Sequence, residues 1–155
     1  AVLYDFGSIT FWTFHLKAMA RLHFKHFYPI IINIINRSLE TMYEWEKRPW
    51  GRYLVLYDGE EMKVKIIEVD PGKRLSYQSH RRRKENWLFV KGEGFVIIDD
   101  MERVVKEGDT VFVDIEQRHR VGNTGEEVLR IVEVQSGDYF GEDDILRFQD
   151  DFGRV

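Results

Sequence analysis

An all-β architecture, an antiparallel barrel or sandwich, is predicted for most of this 155-residue chain. Three observations predict it. Short runs rich in β-branched and aromatic residues succeed one another from Arg52 onward, turn clusters break them roughly every 8–16 residues, and no long helical stripe lies between them.

Taken in order, Tyr53–Tyr57 is the first run, and Asp58-Gly59 is the turn that ends it. Lys63–Val69 follows and stops at Asp70-Pro71-Gly72. Asn86–Val90 ends at Gly92-Glu93-Gly94, and Gly94–Ile98 at Asp99-Asp100. Gly108-Asp109 opens Thr110–Val113, and Asn123-Thr124-Gly125 opens Val128–Val134. Glu142–Asp151 reads equally as a short strand or one helical turn. No repeat, low-complexity tract or Gly/Ser linker interrupts the series.

Residues 1–41 differ in character. They carry Lys17, Arg21, Lys25 and Arg37 against Asp5 and Glu40, many aromatics, and the apolar Pro29-Ile-Ile-Ile-Asn-Ile-Ile35. No uninterrupted apolar run reaches the ~18–20 residues of a membrane span, and no signal-peptide pattern is present. The segment is expected to be an N-terminal appendage without chemistry, ahead of one domain over 42–155; an oligomer contact and a non-native extension before Met42 are the alternatives. Its histidines, His15, His23 and His26, read as surface or packing residues.

Composition narrows the function classes. The absence of cysteine excludes disulfides, thiolate metal sites and cysteine nucleophiles, and fits a reducing, cytoplasmic setting. The run Arg81-Arg-Arg-Lys84 would suit a polyanion, but it sits on a chain of net charge −4. Nucleic-acid binders are more often basic overall, so neither nucleic acid nor membrane is expected as a partner.

The same run is flanked by metal-binding types. Gln78 and His80 are two apart, so in a strand they share a face. Glu85 lies beyond the cationic turn, and His119 follows 34 residues later. An amide oxygen, two imidazoles and a carboxylate form a mixed N/O set suited to Zn²⁺, Mn²⁺, Co²⁺ or Fe²⁺. Alone, such a set more often belongs to surface or hydrogen-bonded residues.

The glycine spacing around these residues strengthens the pattern. One block runs Gly72, five residues, Gln78-x-His80, four residues, Glu85, six residues, Gly92; the other runs Gly108, five residues, Asp114-x-Glu116, two residues, His119, three residues, Asn123. The two blocks resemble the paired motifs of the cupin superfamily. Gln78 stands where a histidine is usual, and Asp114 and Glu116 stand where proline and glycine are usual. Further out come Arg48-Pro-Trp-Gly51, Lys63-Val-Lys65, Pro71-Gly72-x-x-Leu75-Ser76, Arg83-x-Glu85-x-Trp87 and the closing Val134-Gln-Ser-Gly-Asp-Tyr-Phe-Gly-Glu-Asp-Asp-Ile-Leu-Arg147-Phe-Gln-Asp-Asp-Phe-Gly-Arg154. From about Trp45 onward these make the chain similar to the phosphomannose isomerase-type cupin domain that closes bifunctional type II mannose-6-phosphate isomerase/mannose-1-phosphate guanylyltransferases.

The resemblance implies a cupin double-stranded β-helix (a jelly-roll barrel), one divalent metal ion with zinc foremost, and interconversion of mannose 6-phosphate with fructose 6-phosphate. Gln78, His80, Glu85 and His119 would hold the metal. Lys65 and Arg83 would hold the substrate phosphate, although a solvated strand face would explain either. Arg147 would steady enediolate charge or assist proton transfer, unless it forms a strand-edge salt bridge to Asp143, Asp144 or Asp150. Trp87 is expected to pack the barrel, and no residue stands out as the general base. The chain has no Gly-rich nucleotide loop, so guanylyl transfer by it alone is not expected. The family's histidines near 81 and 82 and after the glutamate are here Arg81, Arg82 and Asn86. Rival readings are a non-catalytic cupin that binds a sugar phosphate or nucleotide sugar beside a separate guanylyltransferase, or another cupin enzyme. A homodimer formed by sheet extension is expected from exposed edge strands.

Overall fold

A computed structural model describes residues 44–154. The expected appendage over 1–41, with its three histidines, lies outside the described residues. Those described form eleven strands and a single 3₁₀ turn, Glu142–Asp144. The strands are β1 (Glu46–Arg48), β2 (Gly51–Asp58), β3 (Met62–Val69), β4 (Tyr77–His80), β5 (Arg83–Lys91) and β6 (Glu93–Ile98). The remainder are β7 (Met101–Lys106), β8 (Thr110–Val113), β9 (His119–Asn123), β10 (Leu129–Gly137) and β11 (Ile145–Gln149). They pair antiparallel in two sheets, ordered β1-β2-β3-β10-β5-β8 and β11-β4-β9-β6-β7. The all-β expectation holds. The undecided C-terminal stretch contains both readings in succession, a 3₁₀ turn and then a strand.

Turn chemistry sets the register. The motif glycines Gly72, Gly92 and Gly108 have φ of +70°, +84° and +89°, the left-handed region where a side chain is strained. Asp99 and Asp100, both at positive φ, form the two-residue link of the β6–β7 hairpin, which pairs Ile98 with Met101. Glu116, standing where the family usually has glycine, adopts φ +60°. Its N–H donates to the His80 carbonyl at 2.7 Å, so the departure keeps the glycine conformation and ties the loop to β4.

Strand alternation divides the barrel into a dry end and a polar end. Along β10 the inward positions are Leu129, Ile131, Glu133 and Gln135; along β5, read from its C-terminal end, they are Phe89, Trp87, Glu85 and Arg83; along β3, read the same way, Val69, Ile67 and Lys65. All are buried. Phe89, Leu129, Ile131 and Val69 pack with Val96, Val105 and Val121 as the core, each contributing on the order of 1.5–3 kcal/mol where fully buried. The polar end costs stability unless its charges find partners. Register aligns those charges: Lys65, Glu133 and Trp87 lie side by side across β3, β10 and β5, and Gln135 lies beside Glu85.

The closing segment is pinned by one carboxylate. Asp150 accepts the amides of Phe152 and Arg154 and pairs with the Arg154 guanidinium, while Phe152 packs on the core. The Arg154 hydrogen bonds, chiefly, hold the Asp150 carboxyl down at about 2, against burial that raises it. A carboxylate with a depressed folded value stabilises fully above its unfolded value, and that contribution is lost as pH falls. Amide-exchange protection of Phe152 and Arg154 is therefore expected to fade from about pH 4 toward 2. Asp150→Asn should remove it at neutral pH; unchanged protection in that variant would count against the carboxylate as the anchor.

Candidate metal centre

β4, β5 and β9 converge three donors at the polar end. His80 Nε2 lies 3.1 Å from Glu85 Oε1, and His119 Nε2 lies 3.6 Å from Glu85 Oε2. The two imidazole rings are 4.9 Å apart, centre to centre, and all three residues are buried. With metal–ligand bonds of about 2.0–2.2 Å, neighbouring ligand atoms sit roughly 3–3.5 Å apart, so these spacings suit a shared cation. His119 Nδ1–H donates to the Gln117 carbonyl at 2.9 Å, which fixes the tautomer and leaves Nε2 as a bare lone pair. Among the described residues that buried Nε2 has no hydrogen-bond partner, and neither does His80 Nδ1. Unpaired buried nitrogens call for an explanation, and an ion supplies one for His119.

Electrostatics prepare the donors. Burial pushes the His119 imidazole down to about 4, so it is neutral, the ligating form, at physiological pH. Burial alone would raise the Glu85 carboxyl, but the His80 hydrogen bond, the two imidazoles and Arg83 hold it well below the usual range. The chain thus presents a possible His–Glu–His metal site. Gln78 pairs with His119 on one side and Arg147 on the other, in a row across β9, β4 and β11. It lines the cavity beside the site, its Oε1 accepting from Ser76 Oγ at 2.7 Å.

A cavity opens beside these donors, with about 490 Å³ of empty space counting its open mouth. Lys65, Arg83, Glu85, Glu133 and Arg147 line it with Gln78. Lys65 Nζ lies 3.4 Å from Glu142 Oε1 and 4.9 Å from the Tyr53 ring centre. Arg83 is committed inward: Nε donates to Glu85 Oε1 at 3.2 Å, Nη1 to the Gly141 carbonyl at 3.1 Å, and Nη2 lies 3.3 Å from His80 Nε2. Arg147 Nε is buried without a hydrogen-bond partner, and among the described residues Arg147 makes none of the salt bridges its neighbouring aspartates would permit. Asp144 instead lies near Arg83, and Asp150 takes Arg154.

The departures from the family pattern fall elsewhere. Arg81, Arg82 and Asn86 are exposed, and none lines the cavity. Arg82 pairs with Asp138 and stacks on Tyr139. Trp87 is buried and packs edge-on against the His119 ring, as expected, but it also donates Nε1–H to both Glu85 and Glu133. Sequence reading passed over Glu133 and Gln135. Their signal was available: period-two alternation carries Leu129 and Ile131 inward, and therefore Glu133 and Gln135 as well.

Comparison with known proteins adds the relationship. Residues 35–150 match the family described as mannose-6-phosphate isomerase C-terminal. The chain is 40% identical over 124 residues to the xanthan biosynthesis protein XanB of Xanthomonas campestris pv. campestris, covering 80% of this chain and 27% of that protein. It is 45% identical over 108 residues to the alginate biosynthesis protein AlgA of Pseudomonas aeruginosa, covering 70% and 22%. The chain thus spans about a quarter of the length of these relatives. Among solved structures, the capsular polysaccharide assembling protein CapF of Staphylococcus aureus superposes with a TM-score of 0.62 at 15% identity, over 70% of this chain and 34% of that one. A double-stranded β-helix protein of Klebsiella pneumoniae gives 0.60 at 18%, over 68% and 90%; such likeness speaks to fold alone. With a cupin barrel, a His–Glu–His cluster at its polar end and a family match over most of its length, this chain belongs to the mannose-6-phosphate isomerase C-terminal family.

Proposed function

We propose that this chain is a cytoplasmic, metal-dependent aldose–ketose isomerase that interconverts mannose 6-phosphate and fructose 6-phosphate. The observation that carries the reading is that Glu85, the carboxylate of the His80–Glu85–His119 cluster, lines the same cavity as Arg147, a cation with no salt bridge among the described residues. His80, Glu85 and His119 would hold the divalent ion, zinc foremost, with Gln78 completing the set. When bound, the ion supplies Lewis-acid polarisation of the sugar carbonyl. Arg147 lines the same cavity, and its donors, without a partner among the described residues, would serve developing oxyanion charge. Lys65 anchors the phosphate at the mouth. Arg83, whose donors serve Glu85 and Gly141, offers the phosphate its charge and orients Glu85. The domain is proposed to work as a homodimer, with strand edge β7 and its exposed Met101 and Val104 available for pairing.

The binding-module alternative drew in part on the changed histidines, and the exposure of Arg81, Arg82 and Asn86 outside the cavity weakens that part of it. The test is a coupled assay on the purified chain with added Zn²⁺, Mn²⁺ or Co²⁺. Formation of fructose 6-phosphate from mannose 6-phosphate is expected. Sugar-phosphate binding without turnover, whichever metal is supplied, would favour the binding module.

A further inference from the structure

We propose that Glu133 is the general acid–base group of this site, taking a proton from one carbon of the bound sugar phosphate and returning it to the next. The proposal rests on the isomerase reading and names the group which that reading lacks. Glu133 lies at the centre of the inner sheet face, between Lys65 on β3 and Trp87 on β5, and lines the cavity. It is 4% exposed, yet among the described residues it makes no salt bridge. A carboxylate buried without a cation in contact is costly, and such placements persist where they serve chemistry.

Its geometry is that of a fixed base. Oε1 accepts from Gln135 Nε2 at 2.8 Å, and Oε2 accepts from Trp87 Nε1 at 3.0 Å. Both donors also reach Glu85, Trp87 at 3.1 Å and Gln135 at 3.2 Å. Two carboxylates are therefore linked through shared neutral donors, and their environments divide the roles. Glu85 has the imidazoles and Arg83 and stays ionised. Burial, with the Glu85 charge nearby, pushes the Glu133 carboxyl above the usual carboxylate range. The only other carboxylate on the cavity wall among the described residues is Glu142, which is exposed at the mouth and lies beside Lys65.

The step balances without an outside reactant. Glu133 takes the C2 proton of the aldose, the C2–H electron pair becomes the C1–C2 double bond, and the carbonyl pair moves to O1. The O2 proton passes to O1 as the C2 carbonyl forms, and Glu133 delivers a proton to C1, after its carboxyl has exchanged in part with solvent while the enediol is bound. No net proton or electron is exchanged.

The test compares the metal-supplied full chain with Glu133→Gln and Glu133→Asp in deuterated water. Turnover, deuterium entry at C1 of fructose 6-phosphate, metal content and melting temperature are read together. Glu133→Gln is isosteric, and Gln135 Oε1, unpartnered in the structure, can turn to accept from the new amide. It is expected to lower kcat by about 10²–10⁴-fold and to end deuterium entry, with KM and metal content held. Glu133→Asp should recover part of the rate. Exchange and turnover near wild type in Glu133→Gln would overturn the role while leaving the isomerase reading intact. Loss of metal and a lowered melting temperature alongside lost turnover would also overturn it, marking Glu133 as a positioning residue for Glu85. A wild-type chain that turns over nothing would remove both.

Discussion

His119→Ala is expected to leave the purified chain without bound divalent metal, and His80→Ala to do the same. Each substitution removes one of three donors whose ligand atoms lie within 4.8 Å of one another. The His119 lone pair is held ready by the Gln117 carbonyl, and its nearest partner is the Glu85 carboxylate at 3.6 Å. Changes to groups that merely orient metal ligands cost about 10–100-fold in affinity; loss of a ligand should exceed that. Metal content after dialysis is the direct readout. A second is thermal: an ion at 100 times its Kd stabilises the fold by about 2.7 kcal/mol, so the rise in Tm that wild type shows on metal addition should vanish in both variants. Glu85→Gln separates charge from shape. It keeps an oxygen in place but lacks the anion that holds both imidazoles, so it should retain the fold and lose most of the affinity. Full metal content in either histidine variant would sink the ligand set.

What could be read in advance follows from local rules. Turn glycines, strand alternation and the spacing of His80, Glu85 and His119 are local, and they carried the barrel and its cluster. Strands β1, β7 and β9 were not recognised. In β7, Met101–Lys106 mixes exposed charge with apolar residues on a sheet edge, so no clean alternation marks it. In β9, His119-Arg-Val-Gly-Asn123 is short and polar in type, and tertiary pairing with β6 and β4 makes it a strand. The fate of the cations was equally hidden. Arg83 and Arg147 look alike in sequence, yet Arg83 is consumed by Glu85 and Gly141 while Arg147 is left open among the described residues. Which charge finds a partner depends on contacts between distant segments, and no spacing rule records them.

Arg147→Ala turns that distinction into an expected result. If Arg147 were a strand-edge salt bridge, its removal would cost about 0.2–1 kcal/mol of stability and little else. The structure gives it no such partner among the described residues. A buried donor left without an acceptor is itself a cost of about 1–3 kcal/mol, so its removal should leave the melting temperature unchanged or raised. Turnover should move the other way. Loss of one donor aimed at developing oxyanion charge typically costs about 10²–10³-fold in kcat, and metal content should stay at the wild-type level because Arg147 touches none of His80, Glu85 or His119. Arg147→Lys keeps the charge but not the planar fork, and should recover only part of the loss. The opposed signs make the test sharp. A stable, metal-loaded, nearly inactive Arg147→Ala places the cation at the reacting atoms. A destabilised but active one returns it to the strand edge, and the site would then need another donor for the oxyanion.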